Sequence, residues 1–194
     1  MIRLFLRFWC GFRVDGREHE PRHGPLLVVC NHVSDLDPLV VGAALRRPVN
    51  YMAKVELFKH PLLRWWVTAC GAFPVRRGEP DRQALRTARG ILERGGALVM
   101  FPEGTRGTGR QLRPAEPGAA LLALWTRATI LPVAIIGTDE VLGRGAHRLS
   151  RRPISVRLGP PLVVNGAASP KPDRGQIESL GETFMGELGR LLAG

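Results

Sequence analysis

Lysine is nearly absent from this chain: of 28 basic residues only Lys54, Lys59 and Lys171 are lysines, so arginine carries most of the formal net charge of +11. That excess points to anionic partners. Nucleic acid, an anionic lipid surface, coenzyme A phosphates and an acidic carrier protein all satisfy it, and a coding bias towards arginine accounts for many individual positions. Cysteine is scarce as well. Cys10, Cys30 and Cys70 are too few and too irregularly spaced for a disulfide framework, no C-x-x-C pair suggests zinc or redox work, and a reducing compartment follows. There is no run of about 20 apolar residues, which argues against a conventional spanning helix. Aromatics make up only 6% and are not interleaved through a basic patch. With no zinc finger, RNP pattern or heptad-linked basic region, a nucleic-acid module is not expected. Internal repeats, low-complexity segments and a convincing linker are also missing. What remains is a 194-residue chain, 44% hydrophobic, long enough to bury one sizeable core.

The first residues form a pattern of their own. On a helical wheel Ile2, Leu4, Phe5, Leu6, Phe8, Trp9 and Phe12 cover a broad apolar face, with Arg3 and Arg7 on the narrow opposite stripe. Such a helix suits a membrane interface, where Trp9 and the arginines match the headgroup boundary. An ordinary core-packing helix is the competing reading. A signal peptide fits less well, because Arg7 interrupts the apolar stretch and no small-residue cleavage site follows. Residues 1–20 are therefore expected to be an amphipathic membrane-interface segment, and residues 21–194 the main domain.

Apolar runs flanked by turn residues recur over residues 26–30, 49–53, 72–75, 97–101, 130–136 and 154–158, and read as strands buried on both faces. Helical patterns lie between several of them. Asp81 can cap a helix with Leu85, Ala88, Ile91 and Leu92 inward, stopped by Gly95 and Gly96. Two more helices are expected over 117–127 and 173–192, the latter after a Gly/Pro/Ser-rich loop at 165–172. The alternation predicts an α/β domain with a mostly parallel or mixed central sheet flanked by helices. Residues 57–73, with Trp65 and Trp66, fit either a buried helix or a second membrane-facing surface.

Four stretches carry chemistry. Asn31-His32-Val33-Ser34-Asp35-Leu36-Asp37-Pro38 follows an apolar strand, where open α/β sheets bind ligands. His32 and Asp37 are too far apart for one helical face, but a turn can fold the carboxylate back to fix the imidazole and stabilise its protonated form. Asp37-Pro38 is equally a good N-cap and N1 pair for a helix through Arg46. Phe101-Pro102-Glu103-Gly104-Thr105-Arg106 places a carboxylate and a guanidinium at another strand end. Gly71-Ala72-Phe73-Pro74-Val75-Arg76-Arg77 ends in two arginines able to clamp a phosphate. Leu131-Pro132-Val133-Ala134-Ile135-Ile136-Gly137 reads as a core strand.

Together these stretches resemble the lysophosphatidic acid acyltransferases of the glycerolipid acyltransferase superfamily. All four family blocks occur in the family order: N-H-x-x-x-x-D with His32 and Asp37, G-x-x-x-V-x-R with Gly71 and Arg77, F-P-E-G-T-R unaltered, and V-P-V-x-x-x-G with Leu131 in its first place. The resemblance implies a glycerolipid acyltransferase fold, an acyl-CoA or acyl-carrier protein donor, and a lysophospholipid acceptor, most commonly 1-acyl-glycerol-3-phosphate, which would become phosphatidic acid. It implies His32 as general base, Asp37 as its orienting partner, Arg77 as a phosphate contact, and Glu103, Gly104, Thr105 and Arg106 as the acceptor site. Arg76 lies outside the family's fixed positions and is a further phosphate candidate. No metal or bound cofactor is required, and the expected location is peripheral or monotopic on an anionic membrane surface, at the cytoplasmic face of the cell membrane. Other lysophospholipids or lyso-ornithine lipids are alternative acceptors. Two rival readings stay open: Cys30 as a nucleophile on the same face as His32, and a catalytically silent lipid-binding protein.

Overall fold

The computed structural model describes residues 2–76, 81–107, 112–143, 145–146, 148–165 and 171–194. Arg77 lies outside them. Among the described residues, seven strands make one mixed sheet: β1 (Arg13–Asp15), β2 (Leu26–Cys30), β3 (Asn50–Lys54), β4 (Ala72–Val75), β5 (Ala97–Met100), β6 (Thr129–Ile136) and β7 (Ser155–Leu158). Their order across the sheet is β1-β7-β6-β2-β5-β3-β4, with every pairing parallel except β6 with β7. The helices are α1 (Ile2–Cys10), α2 (Asp37–Ala44), α3 (Pro61–Ala69), α4 (Arg82–Glu93), α5 (Pro117–Thr126), the short α6 (Thr138–Val141) and α7 (Arg174–Ala193).

Topology decides which face each helix covers. The crossovers β2-α2-β3 and β3-α3-β4 step one way along the sheet, whereas β4-α4-β5 and β5-α5-β6 step back. Parallel crossovers are right-handed, so α2 and α3 lie on one face and α4 and α5 on the other. The core divides accordingly. Leu26, Val28 and Cys30 of β2 pack with Val40, Val41 and Ala44 of α2. Leu27 and Val29, pointing the opposite way, pack with Ala88 and Leu92 of α4, Leu122 of α5 and Phe184 of α7. β2 is wholly buried because it sits mid-sheet between two helical layers.

The expectation that the apolar runs are buried on both faces fails at three strands. β7 alternates, with Ser155 and Arg157 only half-covered. β4 is not buried on both faces: it is the edge strand, half-covered, and it contains Pro74, which such an edge tolerates. β3 is only partly covered too, with Lys54 exposed. Residues 61–69 form a helix, and of the two readings left open for them the buried one does not hold, since only Val67 is fully covered. Asp81 does cap α4, accepting from the Ala84 N–H at 3.0 Å. α7 begins with a reciprocal capping box between Asp173 and Gln176. The short β1 carries too little pattern to read from sequence; it is set by pairing with β7, Arg13 opposite Ser155.

Candidate active site

The chain leaves the C-terminal end of β2 towards α2 on one face, and the end of the adjacent β5 towards α5 on the other. Diverging connections from neighbouring strands open a crevice at the strand ends. The His32 turn and the Phe101–Arg106 stretch meet there.

Asp37 resolves the two readings of its role. It is the first residue of α2, with Pro38 behind it, but it does not cap the helix. Its carboxylate turns back on the preceding turn. Oδ2 accepts from the Val33 N–H at 2.7 Å and the Ser34 N–H at 2.8 Å, and lies 2.8 Å from His32 Nδ1. Oδ1 accepts from the Thr138 hydroxyl at 2.6 Å, a partner 101 residues away on α6. Asp37 is fully buried. A carboxylate meeting this many donors acts purely as an acceptor, so the ring nitrogen facing it carries the proton and Nε2 presents a lone pair. The imidazole also stacks on Phe101, with centroids 4.2 Å apart. Its side chain is only 7% accessible, and Nε2 has no partner among the described residues. Ring position and tautomer are thus both fixed.

Glu103 is buried and occupied. Its Oε1 accepts from the His32 backbone N–H at 3.2 Å and its Oε2 from the Arg113 N–H at 3.2 Å. It therefore ties the β5 end to the His32 turn, a part that the linear motif did not disclose. The Gly107 N–H adds a bond to the His32 carbonyl at 2.8 Å, and a Cβ at Gly107 would come within 2.9 Å of the Glu103 carboxylate. Gly104 has a φ of +68°, the left-handed region that glycine reaches without strain. Arg106 reaches across the crevice to Asp35 at 2.6 Å, a partly exposed ion pair that solvent weakens. Thr105 is exposed beside it.

The fourth block supplies support rather than contact. Asn31 pairs its side-chain amide with both the N–H and the carbonyl of Ile135, each at 2.8 Å, locking the end of β2 to β6. Gly137, at φ +87°, turns the chain from β6 so that Thr138 comes under Asp37; a Cβ there would lie 2.2 Å from the Pro153 carbonyl. Ser34 is buried and donates to the Leu142 carbonyl at 2.7 Å. Arg76, by contrast, is not brought to His32. It is exposed at the end of β4, three strand spacings from β2, or about 14 Å.

Residues 11–136, which contain most of this constellation, match the Acyltransferase family. The chain belongs to that family. A 1-acyl-sn-glycerol-3-phosphate acyltransferase of Streptococcus pneumoniae is 29% identical over 85% of this chain and 60% of its own length. One from Bacillus subtilis is 27% identical over 83% of this chain and 78% of its own. The chain thus spans less than two thirds of the length of the first of these relatives. The fold recurs in the crystal structure of the 1-acyl-sn-glycerophosphate acyltransferase PlsC from Thermotoga maritima, with a TM-score of 0.71 over 96% of this chain and 78% of that one, at 24% identity. The resemblance drawn from the four blocks is borne out.

Within this acyltransferase scaffold, Cys30 sits at the end of β2, fully buried in the core. Burial, reinforced by the charge of Asp37, holds its thiol well above the ordinary cysteine range. A small apolar cavity of about 150 Å³, lined by Met52, Val75, Phe101, Gly104 and Glu116, lies on the β3 and β4 side of Phe101. No helix among the described residues is long and apolar enough to cross a membrane.

Proposed function

We propose that this chain transfers a fatty acyl group from acyl-CoA or acyl-carrier protein to the free sn-2 hydroxyl of 1-acyl-glycerol-3-phosphate, giving phosphatidic acid. The carrying observation is the His32–Asp37 pair at a strand-end crevice, with Nδ1 committed to a buried carboxylate and Nε2 left for substrate. His32 Nε2 takes the proton as the acceptor oxygen attacks the thioester carbonyl. The C–S bond breaks as the tetrahedral centre collapses, and the imidazolium returns the proton to the leaving thiolate. Asp37 stabilises the transient imidazolium without itself being protonated. The steps balance with no metal or cofactor.

Arg106, Gly104 and Thr105 form the acceptor side of the crevice. Arg106 would exchange Asp35 for the acceptor phosphate, and Arg77 would be a further phosphate contact. Glu103 acts at least partly by holding the His32 turn. The reading includes a place at the cytoplasmic face of a membrane with α1 in the interface, and what supports the interface is the lipid substrate class together with the exposed Leu4, Phe5, Phe8 and Trp9 of α1.

Release of thiol from acyl-CoA and from acyl-carrier protein, measured against a panel of lysophospholipids and lyso-ornithine lipid, tests the reading. 1-Acyl-glycerol-3-phosphate should be the best acceptor; no release with any of them would end it.

Two variants probe the supports. Thr138→Val removes one donor to Asp37 and should lower kcat by about one order of magnitude, the equivalent of one hydrogen bond to a charged group, with acceptor KM little changed. Thr138→Ser should restore it; an unchanged kcat in Thr138→Val would dismiss the contact. Cys30→Ala should cost about 1 kcal/mol of stability for the lost packing yet keep most of its turnover. Loss of activity in a folded Cys30→Ala protein, with a trapped acyl-enzyme, would restore the cysteine as nucleophile.

A further inference from the structure

Two helices, α1 and α3, expose most of the large apolar side chains that remain uncovered among the described residues. α1 packs inward through Leu6 and Cys10, which join the same core cluster as α2. Its remaining apolar residues point away from that seam: Leu4, Phe5, Phe8 and Trp9 are 61%, 54%, 76% and 43% exposed. α3 repeats the arrangement independently. Leu63, Val67 and Cys70 form its inward stripe, and Gly71, the next residue, accepts from the N–H of Tyr51, a residue of the α2 core, at 3.1 Å. Leu62, Trp65, Trp66 and Ala69, at i, i+3, i+4 and i+7, form a second stripe facing outward, with Leu62 86% and Trp65 72% exposed.

Both stripes belong to the same layer, because α1, α2 and α3 cover one face of the sheet. α2 lies in that layer and carries no charge from Pro38 to Leu45; its half-covered Leu39 and Ala43 extend the apolar surface. The exposed charges carried by α1, by α3 and by the turn before α3 are nearly all basic. Arg3, Arg7, Lys54, Lys59 and Arg64 are all exposed, against Glu56 as the sole acid in residues 2–12 and 54–69. A groove of about 570 Å³ between α3 and the turn before it presents Lys59 and Arg64 beside Trp65.

We propose that the outer face of the α1, α2 and α3 layer docks on an anionic phospholipid bilayer, with α3 as a second anchor besides α1. Tryptophan beside arginine and lysine on an apolar surface is the chemistry of a lipid interface, where the ring takes the headgroup level and the cations meet phosphates. A second copy of the chain fits less well, since apposing two such faces sets basic side chains against each other. α2 begins at Asp37, so a bilayer on this face lies against the same helix that opens the crevice. The inference deepens the proposed function and rests on it for its purpose, delivery of a lipid acceptor; the binding is read separately from turnover.

The four tryptophans make the test direct. Trp9 is on α1, Trp65 and Trp66 on α3, and Trp125 on α5 across the sheet. Proteins retaining one tryptophan each, the others changed to Phe, are mixed with phosphatidylglycerol-containing vesicles carrying brominated acyl chains. Trp65 and Trp66 should be quenched like Trp9, and Trp125 should not. A Leu62→Ser, Trp65→Ser double variant should float with the vesicles at least about tenfold less than the parent. It should keep its thiol release with a short-chain, monomeric acceptor. Quenching of Trp9 alone, or a folded double variant that floats like the parent, would overturn the proposal. So would a double variant that loses self-association while vesicle binding stays intact. The Phe replacements keep the test readable if the serine variant does not fold. Absence of thiol release with every acceptor would instead strike at the proposed reaction and leave the quenching result standing.

Discussion

His32→Ala is expected to lower kcat/KM for acyl transfer by at least about 10² to 10⁴, the usual contribution of a positioned general base, equivalent to about 3 to 5 kcal/mol of transition-state stabilisation. The loss should fall on kcat, because the ring's free nitrogen meets the acceptor proton only as the oxygen attacks. The protein should stay folded. The ring contributes a stack on Phe101 and one hydrogen bond to Asp37, and that carboxylate retains the Val33, Ser34 and Thr138 donors when the ring is gone. Thermal unfolding measured beside steady-state rates separates the two effects. A folded variant with near-parental turnover would remove His32 from the chemistry.

Asp37 should behave differently, with a large effect on stability as well as rate. Asp37→Ala strands two backbone N–H groups, a hydroxyl and the ring nitrogen in a fully buried place. An unpartnered buried polar group costs about 1 to 3 kcal/mol, so several together approach the about 5 to 15 kcal/mol that holds a typical domain folded. Low yield or a strongly lowered Tm is expected. Asp37→Asn keeps one acceptor oxygen for the turn and allows the Thr138 hydroxyl to rotate towards the new amide. It should fold, yet lose about 10³ to 10⁴ in kcat, because a neutral amide does not stabilise an imidazolium or hold its tautomer. Denaturant titration and kcat on the same two proteins check the prediction. An Asp37→Asn protein with normal kcat would mean that the carboxylate serves the turn alone.

The strands and the main helices were legible because their signals are local. Leu26 to Cys30 is an unbroken apolar run, and Asp81, Gly95 and Gly96 punctuate α4 in the chain itself. The pair of His32 and Asp37 was visible too, since a turn of six residues can close on itself. What escaped notice is non-local. Nothing around Thr138 marks it as a donor to a carboxylate 101 residues away, and Asn31 meets Ile135 only once β2 lies beside β6. Glu103 stood out as a charge beside a glycine, but its bond to the His32 backbone depends on β5 neighbouring β2. α3 was ambiguous for a related reason. Leu62, Leu63, Trp65, Trp66 and Val67 are apolar on every side, and composition alone does not say that the strand beneath them is an edge.

Direct attack makes the two substrates meet on the enzyme before any bond breaks. Initial rates over a matrix of acyl thioester and 1-acyl-glycerol-3-phosphate measure this most directly. Intersecting double-reciprocal lines are expected, with no thiol released until the acceptor is added. Parallel lines, or a stoichiometric burst of thiol without acceptor, would contradict the mechanism.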